Sequence, residues 1–247
     1  MFGPDVQRAI QAHAIACYPE ESCGAVTEAG YEPLVNRLAG HRPHAFECND
    51  AVGELLAAGR LLALVHSHPD GPNAPSAADI GAQRSMDVPW GLVVCNDSVA
   101  SVPFYWGDSL TPPPLLERPF RHGPSGTDGC GDCGALVRDY FRLTHNILIP
   151  DFPRDDEWWT NGQDLYADHY EAAGFVRADR DNARPGDVAL IQWRTPASNP
   201  VANHAGIFLG QGLILHHLDG RLSRQEPIIG WMKFVRGWLR HSELVHV

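Results

Sequence analysis

The chain has 247 residues, 44% of them hydrophobic, and seven tryptophans, which suits two globular domains with separate cores and excludes a disordered chain. Its net charge of −11 divides unevenly, with 5 basic and 13 acidic side chains in residues 1–110 against 14 and 17 in residues 111–247. Neither half has a basic excess, so nucleic acid is not an expected partner. No run approaches the roughly 20 apolar residues of a membrane span, and six scattered cysteines make no disulfide framework. The opening MFGPDVQRAIQAHA lacks a basic region followed by an apolar one, so synthesis in the cytoplasm without export is expected.

Residues 5–17 carry apolar positions at helical spacing, and Pro19 ends them. Strand-like runs are expected at 22–27, 33–38 and 44–48, and a short helix over 50–61. ALVHSH, residues 63–68, reads as a strand, and alternation lets His66 and His68 face one spot. A Gly/Pro-rich loop follows, and Ser76 is placed to cap a helix over SAADIGAQRSMD, with Asp79 in its first turn. Two neutral ring nitrogens and a carboxylate are the ligand set of a catalytic zinc with an open fourth position. Two histidines on a strand are by themselves more often incidental. Pro69, Ser76 and Asp79 in this order favour a metal site. Strands at WGLVVCND and ASVPFYWG, around a tight turn at Asn96-Asp97, complete an α/β layer with a mixed sheet.

His66-x-His68-Pro69, then Ser76 and Asp79, preceded by Glu21-Ser22-Cys23-Gly24, resemble the JAMM (MPN) metallopeptidases. The resemblance implies an N-terminal JAMM-like α/β domain and Zn2+ held by His66, His68 and Asp79. Glu21 would be the general base, and Ser76 would help to stabilise an oxyanion. The chemistry is coherent, since zinc lowers the pKa of its water to about 7 and a nearby carboxylate can take the proton. Alone, Glu21 would read as a solvated turn residue.

Residues 107–119 are the expected linker, because Pro112, Pro113 and Pro114 favour an extended segment. A boundary near 112 gives domains of 1–111 and 112–247. The second half opens with a Gly-rich loop and a helix over 133–147, whose apolar stripe is Leu136, Tyr140, Phe141 and Leu143. Residues 146–162 read as irregular, and QDLYADHYEAAGF as a helix ending at Gly174. RPGDVALIQW, NHAGIFLG and LILHHL read as successive antiparallel strands, with FVRGWLRH as a last one. Cys133 opens its helix, where the positive end of the dipole favours a thiolate. His204 starts a strand, with small Ala205 and Gly206 leaving room for a substrate backbone. His216 can reach its ring from the neighbouring strand, in the logic of a nucleophile, a base and an orienting residue. His217 is the rival to His216, on the opposite face by alternation. Cys130 reads as an exposed loop thiol. Trp158 and Trp159 read as loop packing, with a glycan groove as the alternative.

Asp132-Cys133-Gly134-Ala135-Leu136-Val137, His204-Ala205-Gly206-Ile207 and His216 resemble the NlpC family of cell-wall cysteine peptidases. The resemblance implies an α+β papain-like fold with an antiparallel sheet, in which Cys133 is the nucleophile, His204 the base and His216 the orienting residue. Many members place a tyrosine just ahead of the cysteine loop to shape the oxyanion site, where this chain has Phe120, Arg121 and His122. The two halves in this order resemble the tail-tip assembly proteins of lambda-like phages. That implies a virion hydrolase that is made in the host cytoplasm and carried to the cell wall, with tail-tip proteins and peptidoglycan as partners. The other readings are a cytoplasmic zinc isopeptidase and a structural tail-tip plug with two vestigial sites.

Overall fold

The computed structural model describes residues 1–42, 44–195 and 198–246. The chain forms two compact units, one of residues 1–111 with 126–128 and one of 112–125 with 129–247.

The first unit contains α1 (Pro4–Cys17), β1 (Cys23–Thr27), β2 (Gly30–Leu34), α2 (Ala51–Ala57), β3 (Ala63–Pro69), α3 (Ala77–Met86), β4 (Trp90–Cys95) and β5 (Phe104–Trp106). Its sheet runs β2-β1-β3-β4-β5. β3 and β4 are parallel, joined through α3, and the other pairs are antiparallel. β3 lies at the centre and is buried along its whole length, which is why ALV precedes His-Ser-His without polar alternation. Ile10 and Ala14 of α1 pack on Val26, Val65 and Val93, while Leu64, Trp90 and Leu92 meet Ala82 and Met86 of α3. This is a mixed-sheet α/β layer.

Two of the expected strands fall short. β2 ends at Leu34, and 44–48 contributes a single bridge, Cys48 to Asn36. The Asn36 side chain accounts for this: its Oδ1 accepts from the N–H groups of Leu38 (2.9 Å) and Glu47 (3.1 Å), offering the backbone a turn instead of a ladder.

The second unit contains α4 (Cys133–His145), α5 (Leu165–His169), β6 (Phe175–Ala178), β7 (Val188–Ile191), β8 (His204–Gly210), β9 (Leu213–His216), β10 (Arg224–Pro227) and β11 (Val235–His241). Its six-stranded sheet runs β10-β9-β8-β7-β11-β6 and is antiparallel throughout. One face, with Val188, Leu190, Ala205, Ile207 and Leu215, packs on Leu136, Val137, Tyr140 and Phe141 of α4. The other face carries Ala189, Ile191, Ile214 and Trp238 under Ile228 and Trp231. α4 stops at His145 because Asn146 turns left-handed (φ 55°) and the Ile147 N–H caps back onto the Phe141 carbonyl at 3.2 Å. Leu143 lies off the buried stripe and is 51% exposed. The helix expected up to Gly174 is only the five residues of α5, followed by turns.

Candidate functional site

In the first unit the fold brings His66, His68, Asp79 and Glu21 to one buried place. β3 points both imidazoles to the same side, and their Nε2 atoms are 3.2 Å apart. His66 Nε2 is 3.5 Å from Asp79 Oδ1, and His68 Nε2 is 3.5 Å from Asp79 Oδ2. Tetrahedral ligands at the usual zinc bond length of about 2.1 Å stand about 3.4 Å from one another, so this donor set fits such an ion. His68 Nδ1–H donates to the Pro72 carbonyl at 2.9 Å, which leaves the lone pair of the neutral ring on Nε2. Burial lowers the His66 pKa, with Phe46 stacked on its ring at 4.6 Å. His68 is buried as well, but hydrogen bonding to Asp79 and to Pro72 carries its pKa up. Burial opposes ionisation of Asp79, yet the two imidazoles and Ser76 hold it well below the usual carboxylate range.

Ser76 caps α3 and builds the Asp79 position. Its hydroxyl accepts from the Asp79 N–H at 3.1 Å and donates to Asp79 Oδ2 at 2.7 Å, and the Ser76 N–H reaches the same oxygen at 2.8 Å. An oxyanion role therefore requires this hydroxyl to leave Asp79. Ser76→Ala is expected to cost about 1 kcal/mol of stability, read as a lower urea midpoint at unchanged slope.

Glu21 is buried rather than a solvated turn residue. Burial pushes its carboxyl up to about 7; the charge of His68 opposes that shift and Asp79 adds to it. Its place against β3 is fixed by the backbone: the Ser22 N–H donates to Ser67 Oγ (2.8 Å), the Ser67 N–H to the Ser22 carbonyl (3.0 Å), and Asn36 Nδ2 to the Glu21 carbonyl (2.9 Å). A carboxyl with a pKa near the working pH is what proton abstraction needs.

In the second unit, Cys133, His204 and His217 line one cavity of about 600 Å³. Cys133 opens α4, whose cap is Asp132: Oδ1 accepts from the Ala135 N–H at 2.7 Å. Asp132 also receives Arg154 Nε at 2.7 Å, and this partner holds it down to about 2 against the effect of burial. The helix-dipole argument for a thiolate is outweighed here. Burial and the Asp132 charge push the Cys133 thiol up, while Tyr166, the Ala205 N–H and Arg154 act the other way. The side chain hydrogen-bonded to Cys133 Sγ is Tyr166, whose Oη stands at 3.5 Å, and not His204.

His204 and His216 do meet. His204 Nε2 is 3.0 Å from His216 Nδ1, and His216 Nε2 is 2.8 Å from Glu226 Oε1. The carboxylate can only accept, so His216 donates from Nε2 and, as a neutral ring, accepts at Nδ1. His204 therefore carries its proton on Nε2, and Nδ1 is its basic atom. Burial, with the two neighbouring histidines, pushes His204 down to about 3, so the ring is neutral at pH 7. His217 points the other way, against Phe120 at 5.1 Å between ring centroids. Packing alone requires Gly206 to be small: a Cβ there would stand 2.6 Å from Ile214 Cδ1 and 3.0 Å from His216 Cβ. Trp158 and Trp159 line the cavity, with Trp158 edge-on to Tyr166.

Residues 3–106 match the family of prokaryotic homologs of the JAB domain, and residues 117–237 match the NlpC/P60 family. The chain is 34% identical to tail tip assembly protein K of Escherichia phage N15 over 239 residues, 92% of each chain. It is 38% identical to tail tip assembly protein K of Escherichia phage lambda over 184 residues, 74% of this chain and 83% of that one. The chain belongs to the tail tip assembly protein K family. A solved NLP/P60-family structure from Staphylococcus aureus is far more distant, with 15% identity and a TM-score of 0.36 over 51% of this chain and 37% of that one.

Two residues at the cysteine site of this protein K relative escape sequence reasoning. Tyr166 comes from the short α5, where no periodicity signals a site. Burial and the Cys133 charge raise the Tyr166 pKa well above its ordinary value, so it stays a protonated donor beside the thiol. Tyr166→Phe is expected to slow iodoacetamide alkylation of Cys133 at pH 8 about tenfold, since a hydrogen bond to a thiolate is worth over 1 kcal/mol. Mass spectrometry of the Cys133 peptide reads it. Glu226 lies on β10, a polar edge strand without alternation.

Proposed function

We propose that the chain is a phage tail-tip hydrolase whose residues 112–247 cleave peptidoglycan stem peptides during genome entry. The observation that carries this reading is the His204–His216 contact at 3.0 Å, at a cavity that also holds the thiol of Cys133 at a helix start. As the sulfur attacks the scissile carbonyl carbon, the thiol proton passes to His204 Nδ1. The C–N bond then breaks, and His204 returns the proton to the leaving amine. Water, deprotonated by the same nitrogen, hydrolyses the thioester and restores the thiol. His216 holds the His204 ring in the required tautomer.

Residues 1–111 form the second, independent centre in this reading, a zinc peptidase that processes or docks a tail protein. His66, His68 and Asp79 would hold the ion, which supplies Lewis-acid chemistry. Glu21 would take a proton from the attacking water, and Ser76 keeps Asp79 in place until its hydroxyl is needed at an oxyanion. The protein would be made in the host cytoplasm and held in the virion by tail-tip proteins. Dye release from labelled, purified cell walls tests the cysteine half. Release by the wild type that is lost in Cys133→Ala supports it, whereas release that survives Cys133→Ala rejects it.

A further inference from the structure

We infer that Glu226 is a positioning residue of the cysteine centre, the anionic end of a chain Glu226–His216–His204 that sets how readily His204 accepts the Cys133 proton. This deepens the reading of the second unit as a cysteine peptidase and rests on it.

The contacts are close and directional. Glu226 Oε1 accepts from His216 Nε2 at 2.8 Å and from Trp231 Nε1 at 2.7 Å, while Oε2 pairs with Arg224 Nη2 at 2.8 Å. The register of the edge strand explains the placement: Arg224 pairs with His216 and Glu226 with Ile214 across β9 and β10. Trp231 closes the arrangement, with its ring 4.6 Å from that of His216 and 6.0 Å from that of His204. A carboxylate so held fixes the tautomers of both histidines. Its charge also favours the state in which His204 has gained a proton and Cys133 has lost one. Other charges face the chain. Arg224 and Arg221 disfavour a cation on His216. His217 disfavours one on His204, and Asp132 favours it. Asp132 opposes the thiolate, which Arg154 and Tyr166 favour. Among these groups, Glu226 is the acid hydrogen-bonded to the histidine pair.

Between the titrations of the two groups one proton is shared by Cys133 and His204, and the thiolate fraction depends on the basicity of His204. Glu226→Gln keeps an acceptor for His216 and Trp231 and removes the charge. Acting on His204 through the intervening His216 ring, in a partly buried site, the charge should be worth about tenfold.

The experiment is iodoacetamide alkylation of the full chain at pH 7 and pH 10, followed on the Cys133 peptide by mass spectrometry. Glu226→Gln should alkylate about tenfold more slowly than the wild type at pH 7, with a difference that shrinks at pH 10 as direct ionisation of the thiol takes over from the proton shared with His204. Arg224→Gln, an exposed change that strips the counter-charge from Glu226, should move the pH 7 rate the opposite way, about twofold faster. Equal rates for wild type and both variants at pH 7, or an equal loss at both pH values in Glu226→Gln, would overturn the inference, the second because it signals packing alone. Should Glu226→Gln not fold, the direction of the Arg224→Gln change decides. Failure of the underlying reading looks different: wall cleavage would then survive Cys133→Ala whatever the alkylation rates.

Discussion

His204→Ala is expected to lower wall cleavage by about 10⁴-fold or more, as severely as Cys133→Ala, with the double substitution no worse than either alone. Residues that act as one unit lose their whole contribution when any one of them goes. The reason lies in the resting state. Cys133 is a half-buried thiol pushed up by desolvation and by Asp132, and His204 is a neutral ring pushed down to about 3. Neither is ionised before substrate arrives, so sulfur gains nucleophilicity only by giving its proton to His204 during attack. His216→Ala should fall between wild type and His204→Ala, because the ring of His204 remains but its tautomer is no longer held at 3.0 Å. Initial rates of dye release at fixed wall concentration compare the four variants with the wild type. Additive losses in the double variant would mean that the two residues do not share a step.

His66→Ala is expected to take bound zinc from one equivalent per chain to none, while Cys133-dependent wall cleavage stays at the wild-type rate. Removing one of three protein ligands leaves two, and His66 is also the most enclosed, fully buried and stacked by Phe46. Asp79→Asn should weaken binding as well, since it removes the anion that two imidazoles and Ser76 hold charged. Inductively coupled plasma mass spectrometry after dialysis against zinc gives the stoichiometry. A wild-type chain that retains no zinc would reject the metal centre outright. Loss of wall cleavage in His66→Ala would show that the two centres are not independent.

How much of this was legible beforehand differs from residue to residue. The gathering of His66, His68 and Asp79 was readable because its parts are local: a strand sets the two histidines on one side, and a cap sets Asp79 three residues after Ser76. The His204–His216 meeting was readable because hairpin register and alternation fix which residues face each other, and the same alternation turns His217 away from His216, toward Phe120 at the wall of the Cys133 cavity. Asn36 shows where the reading fails: its side chain captured two backbone N–H groups, and a run with strand composition became a turn. Gly206 shows another limit, since the cross-sheet packing against Ile214 and His216 that requires its smallness is not visible in the sequence. Tyr166 and Glu226 had no pattern to betray them. One sits on a five-residue helix and the other on a polar edge strand, and only the tertiary fold brings them to Cys133 and His216. Tyr166, on a later element, lines the same cavity as Phe120, Arg121 and His122.

The most direct measurement of the central claim is mass spectrometry of muropeptides from purified cell walls incubated with the full chain and with Cys133→Ala. The wild type should release fragments cut within the stem peptide, with a new amine and a new carboxylate at one bond, and Cys133→Ala should release none. Walls left intact by the wild type, or the same fragments from both proteins, would contradict it.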